Sequence, residues 1–91
     1  MRLTDLEDLT QYMSLDTKLF IENNTQPVVA IKYADNHVDI LLVANNSNKA
    51  LSLSQLFARL RESSANTILF REDTSPIFGF HLNERYDIIF N

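Results

Sequence analysis

Two short stretches of the sequence, VDILL at Val38–Leu42 and YDIIF at Tyr86–Phe90, are nearly the same and decide the predicted fold. When the chain is aligned with itself at an offset of 48 residues, Asp39 falls on Asp87, and an isoleucine follows each. Apolar residues that alternate in this way are typical of a strand with one buried face. Each stretch is therefore predicted to be a strand, and the match between them indicates an internal repeat.

The signals that precede these two strands come in the same order in both halves of the chain. Each half begins with a capping-box motif, TDLE or SLSQ, in which Thr4 or Ser52 is expected to cap an amphipathic helix. A segment of β-forming residues follows, then a turn signal at Asn24 or Asp73 with a proline three residues later. Each half is therefore predicted to contain one helix followed by three strands.

The predicted fold is α+β, with residues 1–91 in one domain made of two αβββ units, at about residues 3–44 and 51–91. A pseudo-two-fold axis is expected to relate the units, and their six strands are expected to form one antiparallel sheet. Both helices should cover the same face of that sheet, and the apolar stripe of the first helix is Leu6, Leu9 and Met13. Two separate sheets, packed as a small barrel or sandwich, are the alternative.

Strand alternation also predicts which side chains lie on the sheet face that the helices do not cover. If Ile40 and Ile88 pack beneath the helices, a set of apolar residues must lie on the opposite face. That set is the predicted contact surface: Phe20, Val28, Ala30, Leu41, Leu69, Ile77 and Ile89. An apolar surface of this size is typical of a contact, so we expect binding to a protein partner or to a second copy, with a homodimer favoured. The alternative is a strongly curled sheet that shields these residues within one chain.

Asp39, His81 and Asp87 are the candidate polar residues of the same face. Aspartate is unfavourable in strands, so two aspartates at matching positions either mark a polar site or keep an exposed face soluble. No metal or cofactor site is predicted, because the chain has no cysteine and no further metal ligand converges on the two histidines. With one glycine the chain has no phosphate-binding loop, and no catalytic residue or enzymatic activity is predicted.

The charge of the chain is acidic and uneven. The net charge is −4, and residues 1–46 carry seven acidic and three basic side chains, against five of each in the remainder. This balance argues against nucleic acid as a partner, although an anionic inhibitor of a nucleic-acid-handling protein stays an alternative. No apolar run approaches the ~18 residues of a membrane span, and the N-terminus lacks the pattern of a signal peptide. We therefore expect a cytoplasmic protein without a membrane partner.

The capped helix, the Leu15-Asp16 pair that leads into KLFIEN, and the strands that follow resemble many small phage and prophage proteins of uncharacterised function. The resemblance covers about residues 3–43 and extends more weakly into the second half, where SSAN stands in place of SLDT. It implies a small cytoplasmic accessory protein from a mobile element and assigns no functional residue. The predicted function is a non-catalytic protein-interaction module, with the anionic inhibitor and a small-ligand-binding protein as alternatives.

Overall fold

The structure is a computed structural model that describes residues 1–22, 25–46 and 49–91. Two seven-residue helices, α1 (Leu3–Leu9) and α2 (Leu53–Arg59), each precede three strands. The strands after α1 are β1 (Leu19–Ile21), β2 (Gln26–Tyr33) and β3 (Ile40–Ala44). The strands after α2 are β4 (Leu69–Arg71), β5 (Phe80–Leu82) and β6 (Ile88–Phe90). The α+β class is therefore confirmed for the described segments, whereas the predicted turn residue Asn24 lies outside them.

The six strands form one curled sheet of mixed direction, in the order β4-β3-β2-β1-β6-β5. β2 is antiparallel to β1 and β3, and β5 is antiparallel to β6, but β1 runs parallel to β6 and β3 runs parallel to β4. The prediction of a purely antiparallel sheet was wrong, because α2 connects β3 to β4 and a helical crossover sets two strands parallel. A bridge between Phe70 and Pro76 links the β4 edge to the segment before β5, so the sheet curls towards closure.

Both helices contribute to one hydrophobic core with the strands. Leu6 of α1 and Leu56 of α2 are fully buried, in the same cluster as Ile40, Ile88 and Phe90 of the sheet. Leu9 was expected in this core but is 61% exposed, because α1 ends there and the chain leaves the helical path. At seven residues each, the helices of the described segments fall far short of the length that crosses a bilayer.

The predicted capping box forms at α2, whereas the predicted cap of α1 by Thr4 was wrong. In α2, Ser52 Oγ accepts from the backbone N–H of Gln55 at 3.3 Å, and the Gln55 side chain accepts from the N–H of Ser52 at 2.9 Å. In α1, however, the N-cap is Arg2 rather than Thr4, and Asp5 accepts from both the backbone and the guanidinium of Arg2. Asp5 therefore has the role in α1 that Gln55 has in α2, and the N-cap side chain of α1 accepts no hydrogen bond.

Candidate functional site

The paired aspartates of the two matching stretches hold neighbouring strands together. Asp39 Oδ1 accepts a hydrogen bond from the backbone N–H of Ile68 at 3.0 Å, and Asp87 Oδ1 accepts one from the N–H of Lys18, also at 3.0 Å. Ile68 and Lys18 directly precede β4 and β1, the strands that run parallel to β3 and β6. Each aspartate therefore joins the start of its own strand to the start of the parallel neighbour.

The surroundings of Asp39 favour its charged form. The backbone N–H of Ile68 and the side-chain amide of Asn36, which donates at 2.8 Å, hold the pKa of Asp39 below its ordinary value of 3.8. A carboxyl group with a lowered folded-state pKa stabilises the fold above its ordinary pKa. That contribution is lost as the pH falls through the lowered value, so Asp39 adds to the acid sensitivity of the fold.

Replacing Asp39 with alanine should lower the free energy of unfolding by about 1–3 kcal/mol, because it leaves the partly buried N–H of Ile68 without its partner. Replacing Asp87 should cost less, because the N–H of Lys18 is exposed and water can take the place of the carboxylate. Urea denaturation at neutral pH measures the loss. Asp35→Ala is the matched control, since this exposed turn carboxylate makes no hydrogen bond with the described residues. Asp39→Asn, which does not titrate, should lose less stability than the parent chain on acidification. Equal, negligible effects of Asp35→Ala and Asp39→Ala would show that the strand clamp is not a stabilising contact.

The three candidate polar residues do not converge on one cavity. Asp87 lines three surface clefts, and neither Asp39 nor His81 lines any of them. His81 is exposed on β5 and pairs across the strands with Ile89. Among residues 1–22, 25–46 and 49–91, no three His, Asp or Glu side chains are grouped to hold a metal ion. The geometry thus explains the two aspartates through strand pairing rather than through a shared ligand.

The predicted contact surface divides between the two faces of the sheet. Val28, Leu69 and Ile77 belong to the hydrophobic core, with exposures of 0%, 0% and 2%. A register shift between Val28 and Ala30 interrupts the alternation in β2 and turns Val28 inward. Leu69 begins β4 as Leu19 begins β1, so it takes the same inward position, and Ile77 lies outside the named strands, where alternation does not apply. These three side chains are therefore corrected to core residues.

The other four members of that surface, which lie outside the core cluster, are Phe20, Ala30, Leu41 and Ile89. Leu41 and Ile89 are nevertheless only 7% and 8% exposed. Leu41 lies between Lys32 and Phe70 on the adjoining strands, and the Lys32 ammonium forms an ion pair with Glu72 at 3.2 Å. Ile89 lies between Phe20 and His81. The curled sheet therefore shields these side chains within one chain, and their burial does not require a second subunit.

An apolar cleft with an acidic rim lies between α1 and the segment before β5. Two of its apolar side chains are largely exposed: Leu9 is 61% and Phe78 is 84% exposed. Asp5 and Asp8 form the rim, and the volume is about 360 Å³. We call this surface, lined by these four residues with Met1 and Gly79, the Leu9–Phe78 cleft. The cleft therefore places the exposed ring of Phe78 near the carboxylates of Asp5 and Asp8.

The two rim carboxylates of the Leu9–Phe78 cleft, Asp5 and Asp8, differ in their ion-pair partners. The Arg2 side chain donates to Asp5 and lowers the pKa of that carboxyl group, which keeps it ionised at neutral pH. Arg2 also forms an exposed ion pair with Asp5 at 3.3 Å, so the two charges partly cancel. Asp8 forms no ion pair with any described residue. The N-terminal amine of Met1 also lowers the pKa of Asp5, so Asp8 is the rim carboxylate without a described ion-pair partner.

Elements of the second half with similar contacts carry different residues at the places of Leu9 and Phe78. Leu9 ends α1, and the residue that ends α2 is Arg59. The carbonyl of Ile77 accepts from the N-terminal amine at 2.8 Å, and the carbonyl of Val28 accepts from the N–H of Leu51 at 2.7 Å. The residues that follow these two acceptors are Phe78 and Val29. Val29 is only half-buried and much smaller than phenylalanine. Folding alone therefore does not explain an exposed leucine and phenylalanine in one cleft.

The sequence pattern predicts Leu9 on the buried stripe of the first helix, and it predicts Phe78 on the helix-covered face of a strand at residues 77–82, so neither side chain was expected at the surface. The signals that could have found them are local. A helix that starts at residue 3 and spans two turns ends at Leu9, and Gly79 interrupts the strand in which Phe78 was placed. Comparison of the chain with known proteins finds no matching family model, no matching curated protein and no matching solved structure.

Proposed function

We propose that the chain is a non-catalytic, cytoplasmic protein-interaction module whose contact surface is the Leu9–Phe78 cleft. The partner is a protein segment that carries an apolar side chain next to lysine or arginine. The observation that carries this proposal is the 84% exposure of Phe78, an aromatic side chain without any polar atom, inside a cleft. Aromatic residues in concave apolar surfaces are enriched among the residues that dominate binding energy.

The charge around the cleft supports the choice of a basic segment. Asp8 lines the cleft and has no described ion-pair partner. The described residues that line the cleft include no lysine or arginine, and the N-terminal amine of Met1, which donates to the carbonyl of Ile77, is the cation among them. The net charge of −4 also attracts a basic partner at longer range. Complementary charge at the rim of an apolar contact selects the partner and speeds its association.

A short blocked peptide with a Phe-Leu pair between lysines is the probe for this proposal, and the same peptide with glutamates in place of lysines is its counterpart. The full-length chain should bind the lysine peptide at least about tenfold more tightly, since the rim attracts one and repels the other. Phe78→Ser should weaken that binding by about tenfold or more, because it removes the apolar anchor. Fluorescence anisotropy measures both, and added salt should reduce the difference between peptides.

Tyr33→Ser is the matched control, because Tyr33 is a 56% exposed aromatic residue outside the cleft. Both variants should stay as stable as the parent within about 0.5 kcal/mol, since both remove exposed rings. Equal affinity of the two variants for the lysine peptide would rule out the cleft as the contact. Sedimentation at micromolar concentration tests the predicted homodimer. If the parent chain is a dimer and the Phe78→Ser variant is a monomer, the partner that occupies the cleft is a second copy of the chain.

We further infer that the halves are αβββ units related by a pseudo-two-fold axis. Hydrogen bonds between the halves support this relation, because they recur with the roles of the halves exchanged. The N–H of Leu3 donates to Thr67 O at 2.8 Å, and the N–H of Leu53 donates to Thr17 O at 2.9 Å. The bonds of Asp39 and Asp87 to the opposite half form a second such pair. A single half would lack both sets of partners.

A further inference from the structure

A second cleft, the inter-helix groove, lies between α1, α2 and the turns that follow them. Its floor is apolar: Leu3 and Leu60 are 4% and 2% exposed, and Met13 and Phe57 are half-buried. The volume is about 530 Å³, within the range of cavities that hold small ligands. Both halves of the chain contribute to the floor, so the groove exists only when the halves are assembled.

One carboxylate and one guanidinium line the same groove. Glu7 projects from α1, and Arg61 lies in the turn after α2. Both side chains are exposed, and neither forms an ion pair or a hydrogen bond with any described residue. In particular they do not pair with each other. An apolar floor therefore lies beside two opposite charges that the described chain leaves uncompensated.

We propose that the inter-helix groove binds a zwitterionic small molecule with an apolar body, of the class of apolar dipeptides. The ligand's ammonium group lies at Glu7, its carboxylate lies at Arg61, and its apolar side chains cover Phe57 and Met13. A guanidinium binds a carboxylate through two parallel hydrogen bonds, which fixes the orientation of the ligand. An apolar floor excludes water from one side of both contacts and strengthens them. A ligand with one charge pairs with either Glu7 or Arg61 and leaves the other residue without a ligand contact.

Leucyl-leucine is the probe, titrated into the isotope-labelled full-length chain and followed by backbone amide chemical shifts. Saturable shifts are expected at the residues of α1, α2 and the following turns that line the groove, and not at Phe78 and Gly79 of the Leu9–Phe78 cleft. Two blocked probes separate the charges: the N-acetylated dipeptide lacks the ammonium group, and the C-amidated dipeptide lacks the carboxylate. Each should bind about fivefold or more weakly than the free dipeptide, because each loses one charge-assisted contact.

Two variants test which residue of the groove binds each charged group of the ligand. Glu7→Gln should remove the preference for the free ammonium group and keep the preference for the free carboxylate, and Arg61→Gln should do the reverse. Arg59→Gln is the matched control, since Arg59 is an exposed cation of α2 that does not line the groove, and it should bind as the parent does. All three changes are at exposed positions, so unfolding should be unaffected.

The proposal is overturned by any of three results. The first is the absence of saturable shifts at about 10 mM dipeptide, a concentration well above the millimolar dissociation constants of weak ligands. The second is equal binding of the free, acetylated and amidated probes. The third is parent-like discrimination by both Glu7→Gln and Arg61→Gln. Because the probes and variants differ from those of the Leu9–Phe78 cleft, failure here leaves the interaction proposal standing, and failure there leaves this one standing.

Discussion

Replacing Phe90 with alanine should lower the free energy of unfolding by about 3–5 kcal/mol. Phe90 is fully buried in β6, which lies between β1 and β5 in the sheet. Its ring packs edge-to-face on Phe80, with the ring centroids 6.3 Å apart. Neighbouring strands hold β6 on both sides, so the cavity that the alanine leaves cannot close without breaking strand pairing.

Phe78→Ala is the matched control for the Phe90 variant. It removes the same atoms from a ring that is 84% exposed, so the expected change is within about 0.5 kcal/mol. Equilibrium urea denaturation of both variants and the parent, followed by circular dichroism, gives the comparison. A loss below about 1 kcal/mol at Phe90 would mean that its ring is not part of the core.

Ile40→Ala and Ile88→Ala should each lower the free energy of unfolding by about 2–4 kcal/mol, and by similar amounts. Both isoleucines are fully buried, and each is the first residue of the closing strand of its half. Ile40 pairs with Leu69 on the parallel strand, and Ile88 pairs with Leu19 in the same way. Equivalent surroundings should leave cavities of similar size, so the two costs should match.

The same denaturation experiment checks this pair of variants, with Val38→Ala as the control because Val38 is 55% exposed. The control should change stability by about 0.5 kcal/mol or less. If one isoleucine variant costs several-fold more than the other, the environments of the two strands differ and the pseudo-two-fold relation is refuted. Small losses at both positions would instead refute the assignment of the inward sheet face.

The order of helices and strands was predictable because each element carries its own local signal. The capping box at Ser52 and the strand pattern around Ile40 lie within a few residues of the structure that they specify. The parallel pairing of β1 with β6 was not predictable, because it joins Leu19 to Ile88 across most of the chain. Hairpin turns fix only antiparallel neighbours, and no local pattern specifies the pairing between halves.

The candidate sites were less predictable than the fold, for reasons that particular residues show. Val28 was assigned to the wrong face because alternation requires an unbroken strand, and the register shift in β2 breaks it. Asp39 was noticed from the sequence, but its bond to Ile68 depends on which strands become neighbours. The position of Glu7 and Arg61 in one groove depends on how the two helices meet, and no pattern in the sequence encodes that.

The interior position of β6 has a consequence for synthesis on the ribosome. β1 is made well before β6, yet one of its two pairing edges is filled only by residues 88–90. Until then the nascent chain exposes an unpaired strand edge that carries Leu19 and Ile21, which is a template for pairing with other chains. Folding must therefore wait for a contact between distant segments, and such contacts form slowly. A holdase chaperone that binds the first half during this interval should raise the yield of native protein.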